Sequence, residues 1–160
     1  MIEDVLALTV NLPERSLAAG ETVYDEGDEA LTVLVLVSGE LEIAQGGVVV
    51  NRHSKPGSFI GEIGALLDQP RSATVTALVP SVVREIGHPD DFFAAHPQLA
   101  KELSRQLAAR LYRLTAYVAD VQRQFADHDD HLGMFGEVLD RIAARSPIDI
   151  EPGSDRSPDY

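Results

Sequence analysis

Apolar and polar positions change their period once along this chain. Short apolar or alternating runs occupy residues 21–24, 31–37, 40–44, 48–52, 74–78 and 82–86. Between them stand Gly27-Asp28, Ser38-Gly39, Gly46-Gly47, Lys55-Pro56-Gly57 and Val79-Pro80. Each run is too short for a stable helix, and each spacer supplies a Gly or Pro that favours a turn. The first half is therefore predicted to be an antiparallel β-roll, jelly-roll-like, of short strands.

From His88 the turns stop and a helical pattern takes over. His88-Pro89-Asp90-Asp91-Phe92-Phe93 predicts a short helix capped near Asp90, and His96-Pro97 opens a long one expected over 97–126. Along it Leu107, Leu111, Leu114, Val118, Val121 and Phe125 recur at gaps of 4, 3, 4, 3 and 4. A narrow stripe of that period on a long helix is suited to meeting another helix, which predicts a parallel homodimer. The alternative is a helix face packed on its own β-domain. Asp127-His128-Asp129-Asp130-His131 then breaks the pattern, and Leu132, Phe135, Val138, Leu139 and Ile142 mark a further amphipathic helix over 131–145. Residues 146–160, rich in Pro, Ser and Asp, are expected to be a flexible tail. The fold class is α+β: one domain over 1–126 including its long helix, then the shorter helix and the tail.

Composition narrows the function classes. The 160 residues carry 26 acids and 13 bases, a net charge of −13, which disfavours nucleic acid and anionic membranes as partners of the whole surface. The charge is uneven, with net values of −9 over 1–50, −1 over 51–97, +3 over 98–123 and −6 over 124–160. An anionic ligand meets least opposition in the middle of the chain. The absence of Cys removes disulfides, thiolate catalysis and cysteine-ligated metals. Glu3 and Asp4 stand where a signal peptide is positive, and no run approaches the roughly 20 apolar residues of a membrane span. A soluble, cytoplasmic chain is expected.

The chemistry concentrates between Phe59 and Ala77. Residues 59–67 have the makings of one or two helical turns, Asp68-Gln69-Pro70 stops them, and Arg71-Ser72 leads into a strand from Ala73. The N-terminus of a short helix between strands offers unpaired N–H groups to a phosphate. Gly61 and Gly64 permit close backbone approach there. Arg71 brings a guanidinium able to hold two phosphate oxygens, Ser72 a hydroxyl donor, and Glu62 an acceptor for a sugar hydroxyl. The set suits a nucleotide-like ligand with one phosphate and one free hydroxyl.

The run FIGEIGALLDQPRSATVTA resembles the phosphate-binding cassette of the cyclic nucleotide-binding domain. That domain occurs in bacterial CRP/FNR-type regulators, protein kinase A regulatory subunits and cyclic-nucleotide-gated channels. Gly61, Glu62, Ile63, Gly64, Leu66, Leu67, Pro70, Arg71, Ser72, Ala73, Thr74 and Val75 carry the match, with Ile60 and Ala65 as departures. Gly20-Glu21, Glu26-Gly27-Asp28 and residues 37–41 are similar to the family's roll turns, so the resemblance covers about 12–126. It implies that Glu62 holds a ribose 2′-hydroxyl, that Arg71 and Ser72 hold the cyclic phosphate, and that Gly61, Ile63, Gly64 and Ala73 line the same site. It places Thr115 on the long helix near the base and implies cAMP or cGMP as ligand, with no cofactor or metal. Arg71→Ala is expected to weaken binding and leave folding intact. Arg110 has the reach for the same pocket, but a surface pair three or four residues along its own helix is the expectation.

Two other readings compete. A cupin-like metal enzyme needs two or three His converging with a carboxylate, yet the strand region offers His53 alone, and His88 and His96 lie at helix starts. A ligand-free dimerisation module with a degenerate roll is the second. No Gly-x-Ser-x-Gly or phosphate-loop motif supplies a catalytic group, so the chain is read as a non-enzyme. Bacterial regulators of this kind carry a DNA-binding domain after the long helix, whereas only about 35 residues, with a net charge of −6, follow Phe125 here. The sequence thus predicts a stand-alone cyclic nucleotide sensor that passes a helix rearrangement to a dimer mate or a protein effector.

Overall fold

The computed structural model describes residues 2–29 and 31–124. The predicted helix over 131–145, the tail 146–160, Phe125 and the Asp127–His131 run lie outside them. The chain divides into two units, 1–110 and 111–160.

The first unit is an eight-stranded antiparallel roll with helices. α1 (Ile2–Leu8) is followed by β1 (Glu14–Leu17), β2 (Thr22–Tyr24), β3 (Val33–Ser38), β4 (Leu41–Gln45), β5 (Val48–His53) and β6 (Phe59–Ile60). Then come α2 (Glu62–Leu67), β7 (Thr74–Ala77), β8 (Ser81–Ile86), α3 (Pro89–Ala95) and α4 (Pro97–Gln124), whose first half belongs to this unit. Two four-stranded sheets form, ordered β1-β8-β3-β6 and β2-β7-β4-β5. The β-roll with its helices is as the sequence predicts.

Strand β3 shows how the layers assemble. Leu34 and Leu36 join Leu17, Tyr24, Leu41, Ile60, Val75, Ala77 and Val83 between the two sheets. Val33 and Val35 point the other way, joining Val5, Phe59, Ile86, Leu99 and Leu103 beneath α1 and α4. Alternate side chains of a strand face opposite sides, so a strand covered on both faces reads as an unbroken apolar run. By contrast β5 pairs with β4 alone, and Val48, Val49 and Val50 are exposed. The β4–β5 connection is Gly46-Gly47, with φ of 55° and 78°, the left-handed pair that a tight hairpin turn requires.

Several elements differ from the sequence prediction. β1 and α1 were not foreseen. β1 pairs with β8 from Glu14↔Arg84 to Leu17↔Ser81, and α1 is tied down by Arg84 Nη1, which donates to the Leu6 carbonyl at 2.7 Å. Phe59 and Ile60 form β6, paired with Val35 and Leu34, so the cassette helix starts at Glu62. α3 is capped at His88 without a side-chain bond, and Pro89 opens it, where its fixed φ suits a helix start.

In the second unit the described residues continue α4 from Leu111 to Gln124. Leu111, Tyr112, Leu114 and Tyr117 are exposed, while Val118 and Val121 are half-buried. The predicted stripe is therefore split. Leu107, its first member, packs on the roll's core beside Leu103, as the own-domain reading expects.

Candidate functional site

The cassette is a turn of backbone that only glycine fits comfortably, followed by a short helix and an arginine. β6 delivers the chain to Gly61, which caps α2 at φ 81°. A Cβ there would stand 2.5 Å from Arg71 Nη1 and 2.9 Å from Tyr24 Cε2. Glycine is thus required by conformation and by space. Glu62 opens α2, where a carboxylate is favoured by the helix dipole. Asp68, at φ 52°, ends it in the left-handed region, and Gly64 is buried against the Gln69 carbonyl.

Arg71 is 3% exposed and held from all sides. Its Nη1 donates to the Gly61 carbonyl at 2.8 Å, and its Nη2 donates to the Thr32 carbonyl at 2.6 Å and to Thr32 Oγ1 at 3.0 Å. The guanidinium carbon lies 3.8 Å from the centroid of the Tyr24 ring, a cation–π stack. The Arg71 backbone is pinned as well, its N–H to the Asp28 carbonyl and its carbonyl to the Gly27 N–H, both at 2.8 Å. Its Nε–H is buried and has no partner among the described residues. A buried donor left open costs free energy comparable to a lost hydrogen bond. Arg71→Ala would strip the donor from two carbonyls and a hydroxyl, so a cost in stability is expected beside the loss of binding.

Glu62 is 2% exposed and accepts a charge-assisted hydrogen bond from Arg110 Nη2, donated across from α4. Arg110 was expected to make a surface pair on its own helix; instead it crosses to the cassette. Nearby, Gln106 donates from Nε2 to the Gly57 carbonyl at 3.0 Å and accepts from the Phe59 N–H at 3.3 Å, fixing α4 to the entry of the cassette. Tyr24 exchanges a hydrogen bond with Thr32 Oγ1 at 2.9 Å. Burial pushes its phenol above the ordinary 10, opposed by that bond and by the Arg71 charge.

The other predicted residues fall as follows. Ser72 is exposed, Ile63 is exposed and Ala73 is half-buried. Thr115 lies in the second unit, its hydroxyl donating along its own helix to the carbonyls of Leu111 and Tyr112 at 2.6 and 3.1 Å. Tyr24, Thr32 and Gln106 are contacts of the cassette that motif reading missed, and Arg110 was weighed for the pocket but expected at the surface. Arg110 alone left a trace: Leu99, Leu103, Leu107 and Arg110 fall on one helical stripe, so a charge continues a buried apolar face. Among the described residues no group of three or more His, Asp or Glu is placed to hold a metal ion. No described helix is long and apolar enough to cross a membrane.

The class of protein is thus an antiparallel roll that buries a carboxylate at the start of one short helix and an arginine just after it. The model for the cyclic nucleotide-binding domain matches residues 14–95, just over half the chain, and the chain belongs to that family. Among curated relatives it is 39% identical over 69 residues to a cAMP-dependent protein kinase regulatory subunit of Eremothecium gossypii, covering 43% of this chain and 15% of that protein. It is 34% identical over 107 residues to the Pycsar effector protein XpPycTIR of Xanthomonas perforans, covering 61% and 34%. The chain thus spans a minor part of these relatives. A solved structure from a cyclic-GMP-dependent signalling pathway that regulates bacterial phytopathogenesis aligns with a TM-score of 0.60 at 26% identity, over 71% of this chain and 95% of that one. The Thermus thermophilus catabolite activator protein shares the fold, with a TM-score of 0.61 at 23% identity over 75% and 59%.

Proposed function

We propose that the chain is a cyclic nucleotide sensor whose roll binds cAMP or cGMP and whose α4 passes the event to a dimer mate or a protein effector. One observation carries the reading: within the family's cassette, Arg71 is buried with its Nε–H unpartnered while Glu62, nine residues earlier, is buried beside it in sequence on α2. A cyclic phosphate supplies the missing acceptor, and a ribose hydroxyl supplies a donor to the carboxylate. Gly61, Gly64 and Ala73 keep the approach open, Ile63 and Ser72 stand at its exposed side, and Thr115 is assigned to the base from the family resemblance. Because Arg110 of α4 already occupies Glu62, a hydroxyl arriving there competes with or shares that bond, which couples ligand to helix. The exposed Leu111 and Leu114, continuing through Val118 and Val121 toward Phe125, are proposed as the homodimer stripe. The role is regulatory, in a cytoplasmic setting.

A second reading is favoured by one feature. Both recognition charges have internal partners, Arg71 with Gly61 and Thr32, and Glu62 with Arg110, as a ligand-free dimerisation module would have. Isothermal titration of the full chain with cAMP and with cGMP, after removal of co-purified nucleotide, separates the two. Saturable binding at about one per chain supports the sensor and selects the base, and ligand at about 100 times Kd then adds about 2.7 kcal/mol of stability. No heat at several temperatures from folded protein leaves the dimerisation module.

A further inference from the structure

Outside the motif, the wall against which Arg71 rests is built from Tyr24 and Thr32. We infer that these two residues form a cradle that positions the Arg71 guanidinium for a cyclic phosphate, so that Tyr24 and Thr32 set affinity without belonging to the cassette. The inference rests on the nucleotide reading above and adds a positioning role to it.

Three contacts support the cradle. The Tyr24 ring lies flat enough under the guanidinium to put its centroid 3.8 Å from the central carbon, and an arginine stacked on a ring keeps its in-plane N–H groups free for other partners. Thr32 takes two of those N–H groups, through its carbonyl and its hydroxyl, and the same hydroxyl is bonded to the Tyr24 phenol at 2.9 Å. Gly61 completes the enclosure, since its carbonyl accepts from Nη1 and a side chain there would collide with both Arg71 and Tyr24. The guanidinium is thereby held at both terminal nitrogens, and its buried Nε–H has no partner among the described residues. A long side chain fixed before the ligand arrives loses little freedom on binding, whereas a free one must be ordered at the expense of affinity.

Tyr24 and Thr32 have no assigned contact with nucleotide, so they are positioning residues, and their test needs a readout that loss of packing alone does not move. Titrate cAMP and cGMP into the full native chain, Tyr24→Phe, Tyr24→Leu and Thr32→Val, and record a thermal melt of each without ligand. Tyr24→Phe keeps the ring face and is expected to bind within about threefold of native. Tyr24→Leu loses the face, and a cation–π stack of the usual strength predicts affinity reduced about tenfold. Thr32→Val keeps shape and backbone carbonyl but loses the hydroxyl, and is expected to fall about three- to tenfold with its melt close to native. Native affinity in both Tyr24→Leu and Thr32→Val overturns the cradle while the nucleotide reading stands. So does a Tyr24→Phe that falls as far as Tyr24→Leu, because the ring face then plays no part. If Tyr24→Leu does not fold, Thr32→Val and Tyr24→Phe decide by the same criteria. Absence of binding by the native chain removes the nucleotide reading itself, and the cradle with it.

Discussion

Removing Arg110 from the pair it forms with Glu62 tests whether α4 and the cassette share one buried charge. The carboxylate side chain is 2% exposed and the guanidinium side chain 25%. Arg110→Met keeps most of the stem's volume on α4 and deletes the positive charge, stranding a carboxylate out of water. Breaking a buried pair from one side costs about 3–5 kcal/mol. Part of Arg110 is solvated, so the lower end, about 3 kcal/mol, is the working figure. For a unit of this size that lowers Tm by about 12 °C. Glu62→Gln with Arg110→Met removes both charges, and such neutral replacements are often close to the parent, here within about 1 kcal/mol.

The assay is urea unfolding of the full chain, followed by circular dichroism, for the native protein, both single variants and the double. A coupling energy of about 2 kcal/mol is expected, because the second substitution relieves what the first left stranded. The reasoning is refuted if Arg110→Met lies within about 0.5 kcal/mol of native, or if the double variant loses the sum of the singles. Either result means that the carboxylate is solvated or otherwise bonded in solution, and α4 is then not tied to the cassette through this charge.

Three further outcomes follow from the site. Arg71→Ala strips the donor from the carbonyls of Gly61 and Thr32, so it should lower stability by about 2–3 kcal/mol as well as cyclic nucleotide affinity by about 10- to 100-fold; a native urea midpoint would contradict the buried hydrogen bonds. Gly61→Ala forces a side chain into a φ of 81° and toward Arg71 Nη1, and is expected to cost about 1–3 kcal/mol, whereas an unchanged midpoint would show that the turn relaxes freely. Burial raises the Tyr24 phenol above 10, so as pH climbs the unfolded chain loses that proton first; the contribution is complete below about pH 10 and disappears as pH rises through the folded value. Stability should therefore fall more steeply at alkaline pH in the native chain than in Tyr24→Phe, and equal slopes would argue against a buried phenol.

How much of this was legible in the sequence depended on the range of the interaction that decides each element. The strands with a buried face announced themselves, since Val33 to Val37 is an apolar run and Val82 to Ile86 a mixed run with Val82, Val83 and Ile86, both between turn residues. β1 did not, because only Leu17 of its four residues is buried and its partner β8 lies about 70 residues away. β6 is two residues long and exists because Val35 and Leu34 accept its edge. The cassette was readable because its parts lie within a dozen residues and each carries a chemistry of its own. What holds those parts was not, for Arg71 meets Thr32 across 39 residues and Glu62 meets Arg110 across 48.

Arg110 shows what kind of sequence signal such a partner leaves. A charge at the next position of a stripe that buries Leu99, Leu103 and Leu107 costs desolvation unless an opposite charge waits on the facing element. In this chain the facing element is α2, whose first residue is a glutamate more deeply buried than the arginine. Read together, two charges that are each misplaced by burial rules specify one another, and the contact between them specifies how α4 lies against the cassette. Tyr24 and Thr32 leave no comparable trace, since an aromatic residue in a strand and a threonine just before one need no special partner to explain them. A stack on an arginine is visible only once the fold has brought the ring beneath it.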